Sequence, residues 1–377
     1  MMKKIVFLTG ATGFVGENLL SRILQNHPES DVITLVRADS AAHAAIRIQN
    51  ALAECAPGLA WQTVSQRITV IQGDVTAYHF GLDPEAYETF LNQVTHIVHS
   101  AACVEFNLSL EESRLRNYVG TRNVMEFALE AHRHGRLEKV AYVSTAYVSG
   151  NRGGRILEDE QRTPTKFSNT YEQTKFEADT YVQGLMKELP VAIFRPGIIV
   201  GDSRTGHTKK FNVLYPVLRL IQNGMLRIIP GSPNTPLDVL PVDFVCDALL
   251  HIFLRTDRTR QVFHLTAGPQ APSLGRIVRT FLRLFGQSVG NHGAPRFLFP
   301  IVYKMSKNFL DSRNRKMAQA MELFEPYLFI DRCFDTTNTE AALAGSGISV
   351  PRFEAYADAI VAYALATNWG KRMARAA

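Results

Sequence analysis

The chain has 377 residues, of which 46% are hydrophobic and 20% are charged. These values are ordinary for a globular protein, and the length allows one large domain or two unequal ones. The formal net charge is +6, but no long block of like charges occurs, which excludes a nucleic-acid patch of the usual kind. The positive balance fits either a mildly basic surface or attraction to anionic ligands.

The cysteines and the N-terminal residues indicate the cellular compartment in which the protein is found. No two of the four cysteines have metal-ligand spacing, and unpaired thiols fit a reducing cytosol. The apolar run at residues 5–8 stops at Thr9 and Gly10, too early for the core of a signal peptide. No stretch has the length of a membrane span. The sequence therefore predicts a cytoplasmic protein without a bound metal.

The first half of the chain alternates strand-like and helix-like segments. Short β-branched runs predict strands at residues 4–8, 32–36, 68–71, 96–99, 140–144 and 191–194. Longer stretches between them predict helices at residues 14–25, 41–54, 116–133 and 171–188. This alternation is typical of βαβ units with right-handed crossovers. We expect an α/β fold with a doubly wound, parallel Rossmann sheet.

The regular alternation of strand-like and helix-like segments ends at Gly201. A helix predicted at residues 211–222 contains Pro216, which should kink it. Further predicted elements are a short strand at 227–229, a helix at 242–254, a strand rejoining the sheet at 262–265, and mainly helices from residue 272. We expect a Rossmann domain formed by residues 1–201 and 239–267. Residues 202–238 and 268–377 would form a smaller, mostly helical substrate lobe.

A glycine-rich segment follows the first predicted strand and opens the first helix. Its spacing is GxxGxxG, one residue longer in the first gap than GxGxxG. Glycine permits a tight turn, close approach of the backbone to a pyrophosphate, and close packing of helix on strand. The pyrophosphate would lie on the amides of the helix N-terminus; a plain glycine-rich turn is the alternative. The residues expected to contact a dinucleotide are Thr9, Gly10, Thr12, Gly13, Phe14, Val15 and Gly16.

The ends of the second and third strands bear on the choice of dinucleotide. Arg37 ends the second strand, where an arginine suits the 2′-phosphate of NADP and a carboxylate suits the ribose of NAD. Asp39 lies two residues later and weakens this inference. Asp74 and Val75 follow the third strand, and Asp74 would bond the adenine amino group or merely stabilise a turn. The sequence favours NADP.

Tyr171 and Lys175 stand four residues apart on a predicted helix and therefore share a face. A nearby ammonium and a positive nicotinamide ring would lower the pKa of the phenol, which is about 10 when free. Tyr171 would then exchange a proton with a carbonyl oxygen while hydride moves to carbon. Ser144 and Thr145 end a buried strand where ligands bind. Either hydroxyl would orient the substrate carbonyl, or cap the next turn.

Taken together, these motifs resemble the extended short-chain dehydrogenase/reductase superfamily. Further landmarks are the segments 99–102, 117–121 and 195–197. The resemblance covers residues 4–270 and implies a catalytic triad of Thr145, Tyr171 and Lys175, with Asn117 supporting the active-site helix. It also implies that the cofactor contacts Ser100, Ala101, Ala102, Asn117, Ser144, Tyr171, Lys175, Pro196, Gly197, Ile198 and Ile199.

A finer resemblance is to thioester reductases and fatty acyl-CoA reductases, the branch with the male-sterility-type NAD-binding domain. It is carried by the segments 99–106, 142–148 and 194–201. It implies NADPH-dependent reduction of an acyl thioester, of coenzyme A or a carrier protein, to an aldehyde and in some members on to a primary alcohol. Without an adenylation or carrier segment, the chain is expected to act as a free-standing reductase.

Two other functions remain open. Another oxidoreductase of the extended type, such as a nucleotide-sugar epimerase or dehydratase or a hydroxysteroid-type dehydrogenase, would share the fold and the triad. Epimerases of this kind usually hold NAD, so Arg37 argues against them. A non-catalytic NADP sensor would keep the glycine loop but tend to lose the tyrosine–lysine pair, and this chain has both.

The C-terminal part carries an apolar stretch at residues 296–305. It would be a core helix, an acyl-chain pocket or a surface that contacts a membrane. Basic residues follow that would meet a coenzyme A or carrier phosphate, or form a solvated face: Lys304, Lys307, Arg313, Arg315 and Lys316. The aromatic-rich segment 324–329 is expected to pack between the lobes.

Overall fold

The structure is a computed structural model and describes residues 3–160, 162–212, 214–224, 231–255, 258–287 and 325–371. Within these residues the strands are β1 (Lys4–Thr9), β2 (Ser30–Val36), β3 (Ile68–Gln72), β4 (His96–His99), β5 (Lys139–Val143), β6 (Gly154–Ile156), β7 (Val191–Pro196), β8 (Ile198–Val200), β9 (Val239–Pro241), β10 (Val262–Leu265) and β11 (Arg332–Phe334).

The α-helices of the described residues are α1 (Phe14–Asn26), α2 (Ala41–Cys55), α3 (Trp61–Val64), α4 (Pro84–Leu91), α5 (Leu110–Arg114), α6 (Gly120–Arg133), α7 (Thr170–Gly184), α8 (Tyr215–Gln222), α9 (Val242–Phe253), α10 (Leu274–Leu284), α11 (Thr337–Leu343) and α12 (Glu354–Ala366). Short 3₁₀ turns lie at Ser65–Arg67, Tyr78–Gly81, Ala146–Ser149, Leu185–Lys187, Gly268–Gln270 and Glu325–Leu328.

Seven strands form one sheet in the order β3-β2-β1-β4-β5-β7-β10. Every neighbouring pair in it is parallel. The chain runs from β1 outward through β2 and β3, and then returns to the other side of β1 at β4. The switch point, where ligands bind in doubly wound folds, thus lies beyond the carboxyl ends of β1 and β4. The predicted fold class is confirmed.

Helices cover both faces of this sheet, which explains why β7 is buried along its whole length. On one face, Leu19 and Ile23 of α1 share an apolar cluster with Val245 and Leu249 of α9. On the other face, Phe127 of α6 belongs to a separate apolar cluster. β1 and α1 are packed in the core, and the loop between them therefore lies at the switch point.

A further apolar cluster lies beside the carboxyl end of the sheet. β8 pairs with β9 in a parallel two-stranded unit, and β6 pairs with β11 in another. Helices α8, α10 and α12 contribute the buried residues Leu218, Phe281 and Ile360 to this cluster. We keep the two-lobe division of the chain as an interpretation in which this cluster is the core of the substrate lobe.

Two predicted details of the helices differ from the structure. The kink expected at Pro216 is wrong, because α8 begins at Tyr215 and Pro216 occupies its first turn, where the missing N–H breaks no helical bond. The helix predicted at residues 116–133 begins earlier. There α5 continues through a π-helical turn at Leu115–Val119 into α6, and Asn117 lies within that turn.

Several predicted features lie outside the described residues: the strand at 227–229, the apolar stretch at 296–305, residue 324, and Lys304, Lys307, Arg313, Arg315 and Lys316. In the parts of the chain that the structure describes, no helix combines the length and the apolar character needed to cross a bilayer. The same described residues contain no group of three acidic, histidine or cysteine side chains arranged to hold a metal ion.

Candidate active site

A cavity of about 230 Å³ opens at the carboxyl edge of the sheet, and we call it the central cavity. Fourteen of the predicted site residues line it: Gly13, Phe14, Val15, Gly16, Ser100, Ala102, Ser144, Thr145, Tyr171, Lys175, Pro196, Gly197, Ile198 and Ile199. The other predicted site residues do not contribute to its wall: Thr9, Gly10, Thr12, Arg37, Asp74, Val75, Ala101 and Asn117. One cavity thus brings together residues from five separate segments of the chain.

The glycine loop forms one end of this cavity. Gly10 has φ +77°, and a Cβ on it would lie 2.6 Å from the backbone nitrogen of Ala101. A Cβ on Gly16 would collide with the carbonyl oxygen of Gly10. Gly13 caps α1 without any side-chain hydrogen bond, so the first amides of the helix stay available beside the cavity. Side-chain-free backbone and unpaired amides fit the pyrophosphate of a dinucleotide.

Thr9 serves the framework beneath the loop. Its Oγ1 lies 2.7 Å from Nδ1 of His99 and accepts a hydrogen bond from the backbone nitrogen of Ala101 at 3.3 Å. Nε2 of His99 lies 3.0 Å from Oγ1 of Thr121. Burial, together with the charge of Lys175, lowers the pKa of His99 to about 3, so this imidazole is neutral. The three side chains tie β1, β4 and α6 together behind the cavity.

Two arginines stand beside the glycine loop, and sequence reasoning identified only one. Arg37 is largely exposed, and its Nη1 lies 3.9 Å from Oδ2 of Asp74. Arg47, on α2, donates to the carbonyl oxygen of Arg37 and, at 3.3 Å, to Oγ1 of Thr12. An arginine in the helix after β2 was the available signal, but a solvated helix face has the same appearance in a sequence.

Asp74 acts as a turn residue in this structure. Its Oδ1 accepts hydrogen bonds from the backbone nitrogen and from the hydroxyl of Thr76, both at 2.9 Å. This is the turn-stabilising alternative that the sequence left open. Its second carboxylate oxygen faces Arg37, and Val75 contacts Gly120 at the start of α6.

The catalytic candidates also line the cavity. Asn169 caps α7 by accepting a hydrogen bond from the backbone nitrogen of Glu172, which fixes the first turn of the helix. Tyr171 in that turn lines the cavity together with Thr145. Burial raises the pKa of Tyr171, and the hydrogen bond from Thr145 opposes this shift. The phenol is therefore protonated and able to donate.

Lys175 lies one turn after Tyr171 and is buried. Its Nζ donates to the hydroxyl of Tyr142 at 2.8 Å and to the carbonyl oxygen of Val143 at 2.9 Å. Burial lowers the pKa of Lys175 to about 7, while the charge of Asp179 opposes this shift. The expected lowering of the pKa of Tyr171 by this ammonium is absent here, because the ammonium points to the end of β5 instead.

Ser144 and Thr145 have different partners although they are neighbours. The hydroxyl of Ser144 donates to Oδ2 of Asp179 at 2.5 Å, and Arg195 forms a buried ion pair with the same carboxylate. Burial opposes ionisation of Asp179, but the charge and hydrogen bonds of Arg195 hold its pKa below the usual value. Ser144 is thus engaged in a structural network, whereas Thr145 is the hydroxyl that opposes the rise in the pKa of Tyr171.

Asn117 links two walls of the site without lining the cavity. Its Oδ1 accepts from the backbone nitrogen of Cys103 at 2.8 Å, and its Nδ2 donates to the carbonyl oxygen of Cys103 at 3.1 Å. The same Nδ2 donates to Oγ1 of Thr174 on α7, also at 3.1 Å. The π-helical turn that holds Asn117 therefore fixes the loop after β4 against the helix of Tyr171.

Sequence reasoning missed three aromatic residues of the site. Tyr147 and Tyr327 line the central cavity with their rings edge-on and 5.0 Å apart. Phe106 also lines it, and its ring centre lies 5.7 Å from that of Tyr171. The order of residues along the chain gave little indication of these contacts, since Tyr327 is 156 positions from Tyr171.

Comparison with known proteins identifies the family. Residues 8–249 match the family model of the male sterility protein, an NAD-binding family. The chain belongs to this family. The branch that the sequence motifs predicted is therefore confirmed, and with it a domain of the family that binds a nicotinamide dinucleotide.

Several relatives and solved structures are similar to this chain. The non-canonical nonribosomal peptide synthetase FrzA of Cladobotryum sp is 31% identical over 71% of this chain and 26% of its own length. Fatty acyl-CoA reductase wat of Drosophila melanogaster is 30% identical over 66% of this chain and 53% of its own length. The chain thus spans about a quarter to a half of these relatives.

Among solved structures, the terminal R domain from the myxalamid PKS-NRPS biosynthetic pathway superposes with a TM-score of 0.86. It is 25% identical, and the alignment covers 98% of this chain and 92% of that chain. The reductase domain of a nonribosomal peptide synthetase from Mycobacterium tuberculosis superposes with a TM-score of 0.73 at 23% identity, over 97% and 92% of the two chains. These superpositions agree with the seven-stranded sheet described above.

Proposed function

We propose that this chain reduces an acyl thioester to an aldehyde with NADPH. The observation that carries the proposal is a single cavity whose wall holds Thr145, Tyr171 and Lys175 together with the glycine cradle. A carbonyl bound in this cavity would meet both a proton donor and the cofactor. The names of relatives support a thioester as substrate, since one is a fatty acyl-CoA reductase.

The cofactor would be held by the amides of Phe14 and Val15 at its pyrophosphate, and it supplies a hydride when bound. For NADPH rather than NADH we point to Arg37 and Arg47. The Arg47 guanidinium donates to Thr12 of the glycine loop and to the Arg37 carbonyl oxygen, and the Arg37 guanidinium lies 3.9 Å from Asp74. Two cations suit a 2′-phosphate and give no advantage with an unphosphorylated ribose.

The residues of this chain have separate tasks in the reaction. Thr145 and Tyr171 bind the carbonyl oxygen, which orients the thioester and stabilises negative charge as it develops there. Tyr171 donates its phenolic proton to that oxygen as the carbonyl carbon becomes tetrahedral. Lys175 lines the same cavity, and its charge would favour the phenolate once the ammonium turns from the end of β5 towards Tyr171.

The hemithioacetal then loses its thiol. Its hydroxyl proton returns to Tyr171, the C–S bond breaks, and the sulfur leaves with a proton from solvent. The overall balance is thioester plus NADPH plus H⁺ giving aldehyde, thiol and NADP⁺. A second turnover with the aldehyde would consume another NADPH and H⁺ and give a primary alcohol. The thiol would be coenzyme A or the prosthetic group of a carrier protein.

The test is NADPH oxidation by the purified chain with a panel of acyl-CoA thioesters, together with identification of the organic product. We expect aldehyde or alcohol with at least one thioester. A Tyr171→Phe variant should lose activity by about 10²–10⁴-fold, whereas Tyr181→Phe, on the same helix but away from the cavity, should not. Turnover of a sugar nucleotide or sterol without any thioester reduction would overturn the proposal.

A further inference from the structure

A second, smaller cavity adjoins the central one, and we call it the inner chamber. Within the described residues it is lined by Ile198, Leu214, Val217, Leu237, Val239, Leu274, Ile277, Val278, Tyr327 and Leu328. Apart from the Tyr327 hydroxyl, every one of these side chains is a hydrocarbon. Its volume of about 20 Å³ would hold one group the size of a methyl. The inner chamber thus differs from the central cavity, which also has hydroxyl and ammonium groups in its wall.

Ile198 and Tyr327 line both cavities and therefore form the partition between them. The hydroxyl of Tyr327 donates to Oε1 of Glu172 and accepts from Nδ2 of Asn169 at 3.0 Å. Both partners belong to the first turn of α7 or its cap, on either side of Tyr171. The polar end of Tyr327 is therefore anchored beside the proposed proton donor, while the ring extends towards the inner chamber.

Resting on the proposed thioester reduction, we propose that the inner chamber receives the hydrocarbon end of the acyl group. Hydrocarbon walls around a small void lack contacts that a methyl group would restore. A hydroxyl or carboxylate at the same place would lose its hydration without gaining a partner. The substrate class is therefore an acyl group with an unsubstituted hydrocarbon end, and the walls of the chamber, which include Val217 of α8 and Val278 of α10, limit its length.

The wild-type enzyme tests this without any substitution. We expect kcat/KM to rise with each added methylene in a series of straight-chain acyl-CoA thioesters, and then to fall by about tenfold or more once the chain exceeds the chamber. At the optimal length, a terminal hydroxyl should lower kcat/KM by a similar or larger factor. A flat length profile, or equal turnover of the hydroxylated substrate, would overturn the proposal.

A pair of variants tests whether the inner chamber causes the dependence of kcat/KM on chain length. Val217→Ala enlarges it and should move the optimum to a chain one or two carbons longer. Val361→Ala is the matched control, because Val361 belongs to the same apolar cluster and has the same 7% exposure but does not line the chamber. Val278→Ala provides a second test if Val217→Ala does not fold.

The outcomes separate the two proposals. An optimum that stays in place in Val217→Ala and Val278→Ala, while the wild type reduces thioesters, contradicts the chamber alone. If the wild type reduces no thioester of any length, the proposed function itself has failed.

Discussion

The ammonium nitrogen of Lys175 lies 2.8 Å from the hydroxyl oxygen of Tyr142, a buried residue of β5. Burial raises the pKa of Tyr142, and the neighbouring Thr121 hydroxyl, which lies 3.0 Å from the imidazole of His99, opposes this shift. His99 is hydrogen-bonded to Thr9 at the start of the glycine loop. Buried polar groups therefore lie between the proposed catalytic lysine and the glycine loop.

This relationship predicts the effect of Tyr142→Phe on pH dependence. Burial already lowers the pKa of Lys175 to about 7, and losing an acceptor for the ammonium would lower it further. If reduction needs the protonated lysine, kcat/KM falls as the pH rises through this pKa. We therefore expect the alkaline limb of the pH profile to move to lower pH in Tyr142→Phe.

The control is Tyr356→Phe, which also removes a buried tyrosine hydroxyl. The hydroxyl of Tyr356 donates to the carbonyl oxygen of Val239 at 2.8 Å. The alkaline limb of the pH profile of Tyr356→Phe should coincide with that of the wild type. A limb that stays in place or moves to higher pH in Tyr142→Phe would show that Tyr142 does not stabilise the charged lysine.

Arg37→Ala and Arg47→Ala should reveal the preferred cofactor. Each removes a charged donor, Arg47 at Thr12 of the glycine loop and Arg37 opposite Asp74, and loss of a hydrogen bond to a charged group costs about 1.5–3 kcal/mol. We expect the KM for NADPH to rise by about 10–100-fold while the KM for NADH hardly changes. Arg122→Ala, on the exposed face of α6, is the control. Equal effects on both cofactors would contradict a 2′-phosphate site.

Gly16→Ala should abolish dinucleotide binding and destabilise the chain. A methyl at this position collides with the carbonyl oxygen of Gly10, a backbone atom that cannot move without opening the loop. Gly184→Ala is the matched control at a helical glycine with open space around it, and it should stabilise the protein slightly. Binding is measured by titration with NADPH, and stability by thermal unfolding. A Gly16→Ala variant that binds NADPH as the wild type does would contradict the described loop.

Lys209→Met should destabilise the protein in a pH-dependent way. Lys209 pairs with the buried Glu17 of α1 and lies 3.1 Å from Glu54. Burial raises the pKa of Glu17 to about 8, which the charge of Lys209 opposes. Removing the cation leaves a buried carboxyl without compensation, and breaking such a pair costs about 3–5 kcal/mol when the group is charged.

How the destabilisation by Lys209→Met changes with pH depends on the protonation of Glu17. Its pKa is higher in the folded chain than in the unfolded one, so this group lowers stability as the pH rises from about 4.5 to 8. Without Lys209 the pKa rises further, and the loss of Tm should be larger at pH 8 than at pH 5. Lys3→Met, which breaks an exposed pair with Asp31, should change Tm little at either pH. A loss of Tm in Lys209→Met that is the same at both pH values would contradict the pairing of Lys209 with Glu17.

Local spacing explains what the sequence predicted well. The glycine loop and the Tyr171–Lys175 pair each lie within eight residues, and their geometry follows from one turn or one helix. The parallel sheet followed from the alternation of short apolar runs with helical stretches. Each of these patterns is set by neighbours along the chain.

Contacts between distant segments explain what the sequence did not predict. In the sequence, Tyr142 is not distinguished from the apolar residues of a buried strand. It becomes a hydrogen-bond partner of Lys175 because α7 packs on β5. Tyr327 reaches the first turn of α7 from the C-terminal part of the chain. Pro216 was misinterpreted because the start of a helix depends on where the preceding loop leaves the core.

The central claim is tested most directly by product analysis after incubation with NADPH and a thioester from the length series. Wild-type protein should release free thiol and aldehyde or alcohol in step with NADPH oxidation, and Tyr171→Phe should release almost none while still binding NADPH. Thiol release without aldehyde or alcohol, or full activity in Tyr171→Phe, would contradict the account.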